Sequence, residues 1–405
     1  MTAVSAPSDP AAATISKPRL DSIDTLRGIV MVLMALDHTR DFFSRDLAFD
    51  PTDLAKTNPA LFLTRWITHF CAPVFIFLAG TGAFLATTRG STRRALSWFL
   101  LTRGLWLVIL ELTWVRFGWL FNLDYHFSMG IVIWVIGWSM VSLAALIHLP
   151  RRLMVVFALL LIAGHNLLDQ VEPESFGSLG WLWRIVHSGG MIQLSANTRF
   201  IAGYPLVPWI GVMALGFGFG PLLLRDPEER RHRLLVLGGI VTLLFVVIRA
   251  TNCYGDAQRW SEQKDFLFSV LSFLNCTKYP PSLCYLLMTL GPAFLVLAAL
   301  DRGTPRWLQP VCVFGRVPLF FYLLHLPFIH GLAVIVSYIR YGDASWWFAN
   351  DPVGGSKVDL MPAGYGFGLP VIYLVWAFVV LALFPACRWF AGVKRRHHSR
   401  WLSYL

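Results

Sequence analysis

The sequence predicts an all-α polytopic membrane protein with about ten transmembrane helices and both termini in the cytoplasm. Three observations carry that expectation. Hydrophobic residues fill 56% of the 405 positions and charged residues only 14%, a balance unlike that of a soluble globular chain. Apolar runs of about 20 residues, the length that crosses a hydrocarbon core, recur along the chain. The connections between them alternate between short basic segments and longer acidic ones, as the positive-inside rule requires of a chain whose N-terminus is inside. The net charge of +11 is read as this topology bias, not as a nucleic-acid surface.

Residues 1–18 are small and polar and are expected to form a flexible cytoplasmic tail. They lack a charged segment followed by an apolar run and a cleavage site, so the first span is expected to act as its own insertion signal. That span, Ile23 to Phe43, has an apolar middle from Gly28 to Leu36, with Arg27 at one end and Asp37, His38, Arg40 and Asp41 at the other. Arg27 and His38 are eleven residues apart. Eleven residues is almost three turns, which puts both on nearly one face, about 16 Å apart along the axis. An ionisable group inside a span is costly and marks a functional site by default. The plainer alternative has Arg27 snorkelling to the headgroups and His38 marking the helix exit.

The second run, 61–87, carries Arg65 and His69 four residues apart and therefore on one face. Its Ala72-Pro73 and Gly80-Thr81-Gly82 steps permit a kink or a close helix approach. In the third, 95–117, Arg93 and Arg94 stand at the cytoplasmic mouth, Arg103 lies about two turns in, and Glu111 follows on about the same face as Arg103. A ladder of Arg93, Arg94 and Arg103 suits a ligand with several phosphates, because each guanidinium offers phosphate a bidentate fork; for Arg93 and Arg94 the alternative is ordinary positive-inside anchoring. Runs at 127–149, 153–169, 205–224, 234–251 and 280–300 complete the middle of the chain. The ninth, 310–338, holds Arg316, Tyr322 and His325, with Pro318 and Pro327 to open the backbone and His330 expected at the interface. The tenth is 365–391. Residues 19–392 thus read as one transmembrane domain, and 393–405 as a basic cytoplasmic tail. The external segments 170–204, 252–279 and 339–364 suit caps or interfacial helices.

Six cysteines show no Cys/His ligand spacing, and no metal is expected. Cys253 and Cys276 flank an external loop, either as a disulfide or as two free thiols. No phosphate-binding glycine loop, dinucleotide turn, nucleophile elbow or HExxH metal site is present.

Arg27 and His38 form an R-x10-H pattern. Together with GRVPLFFYLLHLP late in the chain and about ten spans, it resembles the transmembrane acyltransferase superfamily. The opening RLDSIDTLRGIVMVLMALDH and the second span's FCAPVFIFLAGTGAFL resemble most the bacterial branch of the heparan-alpha-glucosaminide N-acetyltransferase family, the likeness running from about Arg19 to Phe390. That resemblance implies transfer of an acyl group, usually acetyl, from cytoplasmic acyl-CoA to a glycan or amino-sugar acceptor at or across the membrane, in a bacterial inner membrane. It implies His38 as base or transient acyl carrier and Arg27 as the motif's arginine.

The residues agree with this. A thioester is already activated, so the protein must hold phosphates, align the acyl carbon and remove one proton, a task suited to a histidine. Arg27, Arg93, Arg94 and Arg103 are the candidate CoA-binding residues. Asp41, one turn beyond His38, or Asp37 beside it, is the expected partner that orients the imidazole. Arg65, His69, Tyr322 and His325 are the candidate acceptor-binding residues. Acetyl-CoA is the expected donor. The expected partners are acyl-CoA, the acceptor and the lipid bilayer, with room for a homodimer. The competing reading is a secondary transporter or flippase of an envelope precursor, which also explains buried charges but more typically shows two matched broken-helix halves.

Overall fold

The computed structural model describes residues 20–88, 90–349, 356–397 and 399–404; the expected tail 1–18 lies outside the described residues. Helix α1 (Asp21–Phe43) starts with Asp21 and Asp24 in its first turn and ends with Arg40 in its last, both matched to the helix dipole. Helix α2 (Pro59–Thr68) is capped by Asn58, which accepts from the Leu61 N–H at 3.0 Å, and α3 (Cys71–Thr87) follows it. The expected second span is therefore broken at His69 and Phe70. Helix α4 (Arg93–Leu110) starts at a Thr92 cap and passes through a π turn, Glu111–Val115, into α5 (Arg116–Leu120).

The fourth span was expected to begin at 127. Instead Phe127–Gly130 is a strand, β1, and helix α6 (Val132–Leu146) begins beyond it. Helix α7 (Arg151–Gly164) runs into a 3-10 turn, His165–Leu168. A lobe then holds α8 (Gly180–Trp183), a π turn at Arg184–Ser188, β2 (Gly190–Ser195) and β3 (Thr198–Ala202). β3 lies between the other two strands, parallel to β1 and antiparallel to β2. The segment expected as caps thus builds a small sheet against the end of the third span.

The remainder comprises α9 (Leu206–Phe219), α10 (Pro227–Thr251), α11 (Phe266–Leu274), α12 (Leu283–Leu300), α13 (Gln309–Arg316), α14 (Pro318–Tyr341), α15 (Ser356–Asp359) and α16 (Leu369–Arg396). The expected ninth span is two helices: proline disfavours helical geometry in the residue before it, and Val317 breaks the chain at φ −132°. Among the described residues, eight helices are long and apolar enough to cross a membrane. α1 is interrupted by charge and α6 has only 15 residues, yet both stand where the first and fourth spans were expected. The chain is an all-α, multi-pass membrane protein.

α1 is the central pillar, packed by α3, α12, α13, α14 and α16. Its tightest crossing is with α13. A Cβ on Gly28 would meet the Val311 carbonyl oxygen at 2.1 Å, and one on Gly315 would meet the Asp24 carbonyl oxygen at 1.7 Å, so only glycine lets these backbones touch. Gly80, expected to serve close packing, lies against the backbone of Met213 on α9. Two buried arginines organise loops on the far side from the basic connections. Arg116 donates to the carbonyls of Phe127 and Asn122 at 2.7 and 2.8 Å, and Arg249 to those of Phe273, Gln258, Ser272 and Asn275. Burying a cation is offset here by saturating its donors. Cys253 is exposed and Cys276 buried, and both are free thiols, so the disulfide alternative is not adopted.

Candidate active site

Along α1 the structure arranges a cationic cavity, a histidine pair and a balanced ionic cluster, in that order. The cavity, about 360 Å³, opens at the end of the bundle where α1, α4 and α14 begin. Apolar residues of α1, α3, α4 and α6 form its walls, and Arg27, Arg103, Arg316 and Lys394 are its charged lining, with no carboxylate among them. The Arg27 guanidinium is held by Asp24 at 3.2 Å and by the Gly315 carbonyl at 3.1 Å; the α1–α13 crossing therefore fixes its position. Arg103 stands within 5.7 Å of the Phe99 ring centre. Tyr322 closes the deep end, and its hydroxyl is buried with no hydrogen-bond partner among the described residues.

Of the four expected CoA-binding arginines, Arg27 and Arg103 line this cavity and Arg93 and Arg94 do not; both are exposed at the start of α4. The ladder fails on helical geometry, since the nine residues from Arg94 to Arg103 make about two and a half turns, which puts them on opposite faces. The expected alignment of Glu111 with Arg103 is also not used. Glu111 is fully buried and accepts from the Ile133 and Trp134 N–H groups, each at 2.9 Å, serving as the N-terminal cap of α6.

One turn beyond Tyr322, His325 meets His38. His38 Nδ1 and His325 Nε2 are 2.7 Å apart, and His325 Nδ1 faces the Tyr322 and Phe321 carbonyl oxygens at 2.7 and 3.2 Å. Carbonyls accept only, so His325 carries its proton on Nδ1 and leaves Nε2 as a lone pair. His38 must then donate from Nδ1, which frees its own Nε2. That nitrogen has no hydrogen bond among the described residues, and the residue is partly accessible. Trp119 packs edge-on against the His38 ring at 5.1 Å, and Phe321 stacks on His325 at 5.3 Å. The orienting contact expected from Asp41 or Asp37 is made by His325 instead.

The two aspartates belong to the third group. Asp37 accepts from Arg65 at 2.5 Å and from Arg40 at 3.2 Å, and Arg40 also donates to Asp41 at 2.6 Å. Two carboxylates and two guanidiniums alternate within one turn of His38. Arg40 was the missed member; its i+3 spacing from Asp37 was the available signal. Lys278 and Tyr279 act electrostatically on this group from the loop before α12. Burial pushes the Tyr279 phenol up, while Lys278 and then Arg65 pull it down further, so that it lies below the ordinary tyrosine value.

His69, expected to join Arg65 on one helix face, sits at the break after α2. Its carbonyl accepts from the Tyr285 hydroxyl at 2.7 Å, and its ring tilts against the same tyrosine. His330 is fully buried rather than interfacial; it stacks on Phe121 at 3.9 Å and its Nδ1 donates to the Gly118 carbonyl. Arg316 and Lys394 were not singled out as cavity residues. Arg316 ends α13 just before the break at Val317, and Lys394 lies in a tail whose helical continuation through Arg396 was not expected.

The family model described as heparan-alpha-glucosaminide N-acetyltransferase, catalytic, matches residues 19–251. The match takes in Arg27, His38, Arg65 and Arg103, and stops before His325 and Lys394. No curated protein sequence matches the chain.

Proposed function

The chain belongs to the heparan-alpha-glucosaminide N-acetyltransferase family, a family of transmembrane acetyltransferases, and on that premise we propose that it moves an acetyl group from cytoplasmic acetyl-CoA to an amino-sugar or glycan acceptor reached from the other side of the membrane. The single observation that carries the reading is the free Nε2 of His38, aligned through His325 between a cationic cavity and a polar cluster. The cavity has the chemistry for the phosphates of CoA: four cations, apolar walls, and a volume within the usual range for ligand pockets. From Arg27 to His38 is about 16 Å along the helix, a distance suited to an extended pantetheine arm.

In this reading Arg27, Arg103, Arg316 and Lys394 hold the donor's phosphates, and the Tyr322 hydroxyl donates to the thioester carbonyl at the cavity's deep end. Asp37, Arg40, Asp41 and Arg65 hydrogen-bond the acceptor's hydroxyls, and Lys278 and Tyr279 stand at its entrance. The acceptor's nitrogen or oxygen attacks the thioester carbon while its proton moves to His38 Nε2. The C–S bond then breaks, and the CoA thiolate recovers that proton from the imidazolium, so the step balances without a redox equivalent. His325 holds His38 in the tautomer that presents a lone pair. Basic connections on the cavity side support cytoplasmic termini, and the same reading assigns the chain to the bacterial branch and the inner membrane.

Detergent-purified protein incubated with radiolabelled acetyl-CoA and a panel of amino sugars and cell-envelope glycans tests this. Thioester loss that depends on one acceptor is the expected result. Protein that fails to bind acetyl-CoA overturns it.

A further inference from the structure

A second group of polar side chains lies outside the proposed site, where the 3-10 turn after α7 meets the π turn before β2. His165, Asp169 and His187 each offer one ligand atom there, and the three atoms lie within 4.8 Å of one another. His165 is 2% exposed and His187 1%. The His187 ring is fixed from two sides: it stacks on Trp183 at 4.8 Å, and its Nε2 donates to the His165 backbone carbonyl at 2.9 Å. That donation puts the proton on Nε2 and leaves Nδ1 as a bare lone pair, buried with no partner. Asp169 is held by Asn166 at 2.8 Å through Oδ2, while its Oδ1 is buried and unpartnered. Neither ring nitrogen of His165 has a partner of hydrogen-bond geometry, the Pro281 carbonyl acting on it only more loosely.

Each of the three residues therefore carries a buried polar atom without a partner, and two of these atoms, His187 Nδ1 and Asp169 Oδ1, are acceptors that gain from a positive charge beside them. Leaving such groups buried and unsatisfied is costly. One occupant satisfies all three residues at once. We propose that His165, Asp169 and His187 bind a divalent transition-metal ion, zinc by preference, which fastens the π turn and strands of the lobe to the 3-10 turn that ends α7. Two imidazole nitrogens and one carboxylate oxygen are a zinc donor set, whereas calcium and magnesium favour oxygen alone. The bond from His187 to a backbone carbonyl is the outer contact that metal-bound histidines characteristically make. Tetrahedral ligand atoms about 2.0–2.1 Å from zinc lie roughly 3.4 Å apart, so the three side chains close in by about an ångström, and Asp169, which is partly accessible, leaves the fourth position to water.

The ion's role here is structural. The fastened lobe carries β2 and β3, and β3 leads into Tyr204, whose hydroxyl accepts from that of Tyr279 at 3.3 Å. The other close acidic group, Asp21, Asp24 and Cys312, already has Arg27 and Arg316 as counter-ions and needs no metal.

The test uses the full chain purified without a polyhistidine tag, stripped with a chelator, and titrated with zinc alone. The expected results are one zinc per chain by elemental analysis, a raised thermal midpoint on zinc addition, and visible absorption bands when cobalt(II) replaces zinc. Asp169→Asn and His187→Ala, checked for monodispersity, are expected to lose most of the bound metal. Stripped wild-type protein that takes up no zinc and shows no thermal shift overturns the proposal, whatever the variants do. So does stoichiometric zinc that both variants retain, since the ion then sits elsewhere.

Discussion

The two groups of charged side chains on either side of His38 differ in how their charge is balanced. On the side of the proposed donor site four cations line the cavity with no carboxylate among them. On the side of the proposed acceptor site two carboxylates, Asp37 and Asp41, alternate with two guanidiniums, Arg40 and Arg65. Arg27 and Arg316 are braced from behind by Asp24 and Asp21, yet the face turned to the cavity carries only cations, which suits a polyanion through charge-assisted bonds that a neutral ligand cannot make. A balanced cluster presents fixed donors and acceptors at little net charge, which suits a ligand rich in hydroxyls. The contrast teaches that, in the proposed reading, the two groups suit ligands of different charge, with the histidine pair standing between them.

That division can be broken most sharply at its centre. His38→Ala is expected to lower acetyl transfer by about 10³-fold while leaving acetyl-CoA affinity unchanged, as read by isothermal titration beside a transfer assay. Full activity in a folded His38→Ala protein would remove the whole assignment. His325→Gln keeps a side chain in place but disturbs the relay that fixes the tautomer. A fall of roughly 10²-fold in kcat with KM for both substrates preserved is expected, and a change confined to KM would mean that His325 binds substrate instead. On the donor side Arg103→Ala is expected to raise KM for acetyl-CoA about tenfold, the loss of one charge-assisted contact, whereas Arg94→Ala should change it less than about twofold. Equal effects of the two would restore the arginine ladder.

Much of this was legible in the chain. The first helix announced itself because charges at Arg27 and His38 interrupt an apolar run at a spacing of whole turns, and that local periodicity survives folding. Arg103 was legible for the same reason. What could not be read was pairing across distance. His38 and His325 are 287 residues apart, and nothing in either helix says which face meets the other. Asp41 and Asp37 seemed better partners because they were near in sequence, yet the arginines beside them compete for the same carboxylates and win on charge. Lys394 enters the cavity only because α16 continues through Arg396, and the break after Arg316 turns on one proline. The β1 strand was hidden in an apolar stretch whose hydrophobicity cannot distinguish a membrane span from a strand buried under a lobe.

The bare contact between Gly28 and Gly315 has a mechanical consequence. Two main chains with no side chain between them leave nothing to compress, so the segments bearing Arg27 and Arg316 behave as one stiff jaw. Any widening that admits or expels a ligand comes more easily on the side of Arg103, whose helix α4 packs on α6 and α3 instead. The entrance is therefore lopsided, with a fixed anvil on one side and the clearance on the other.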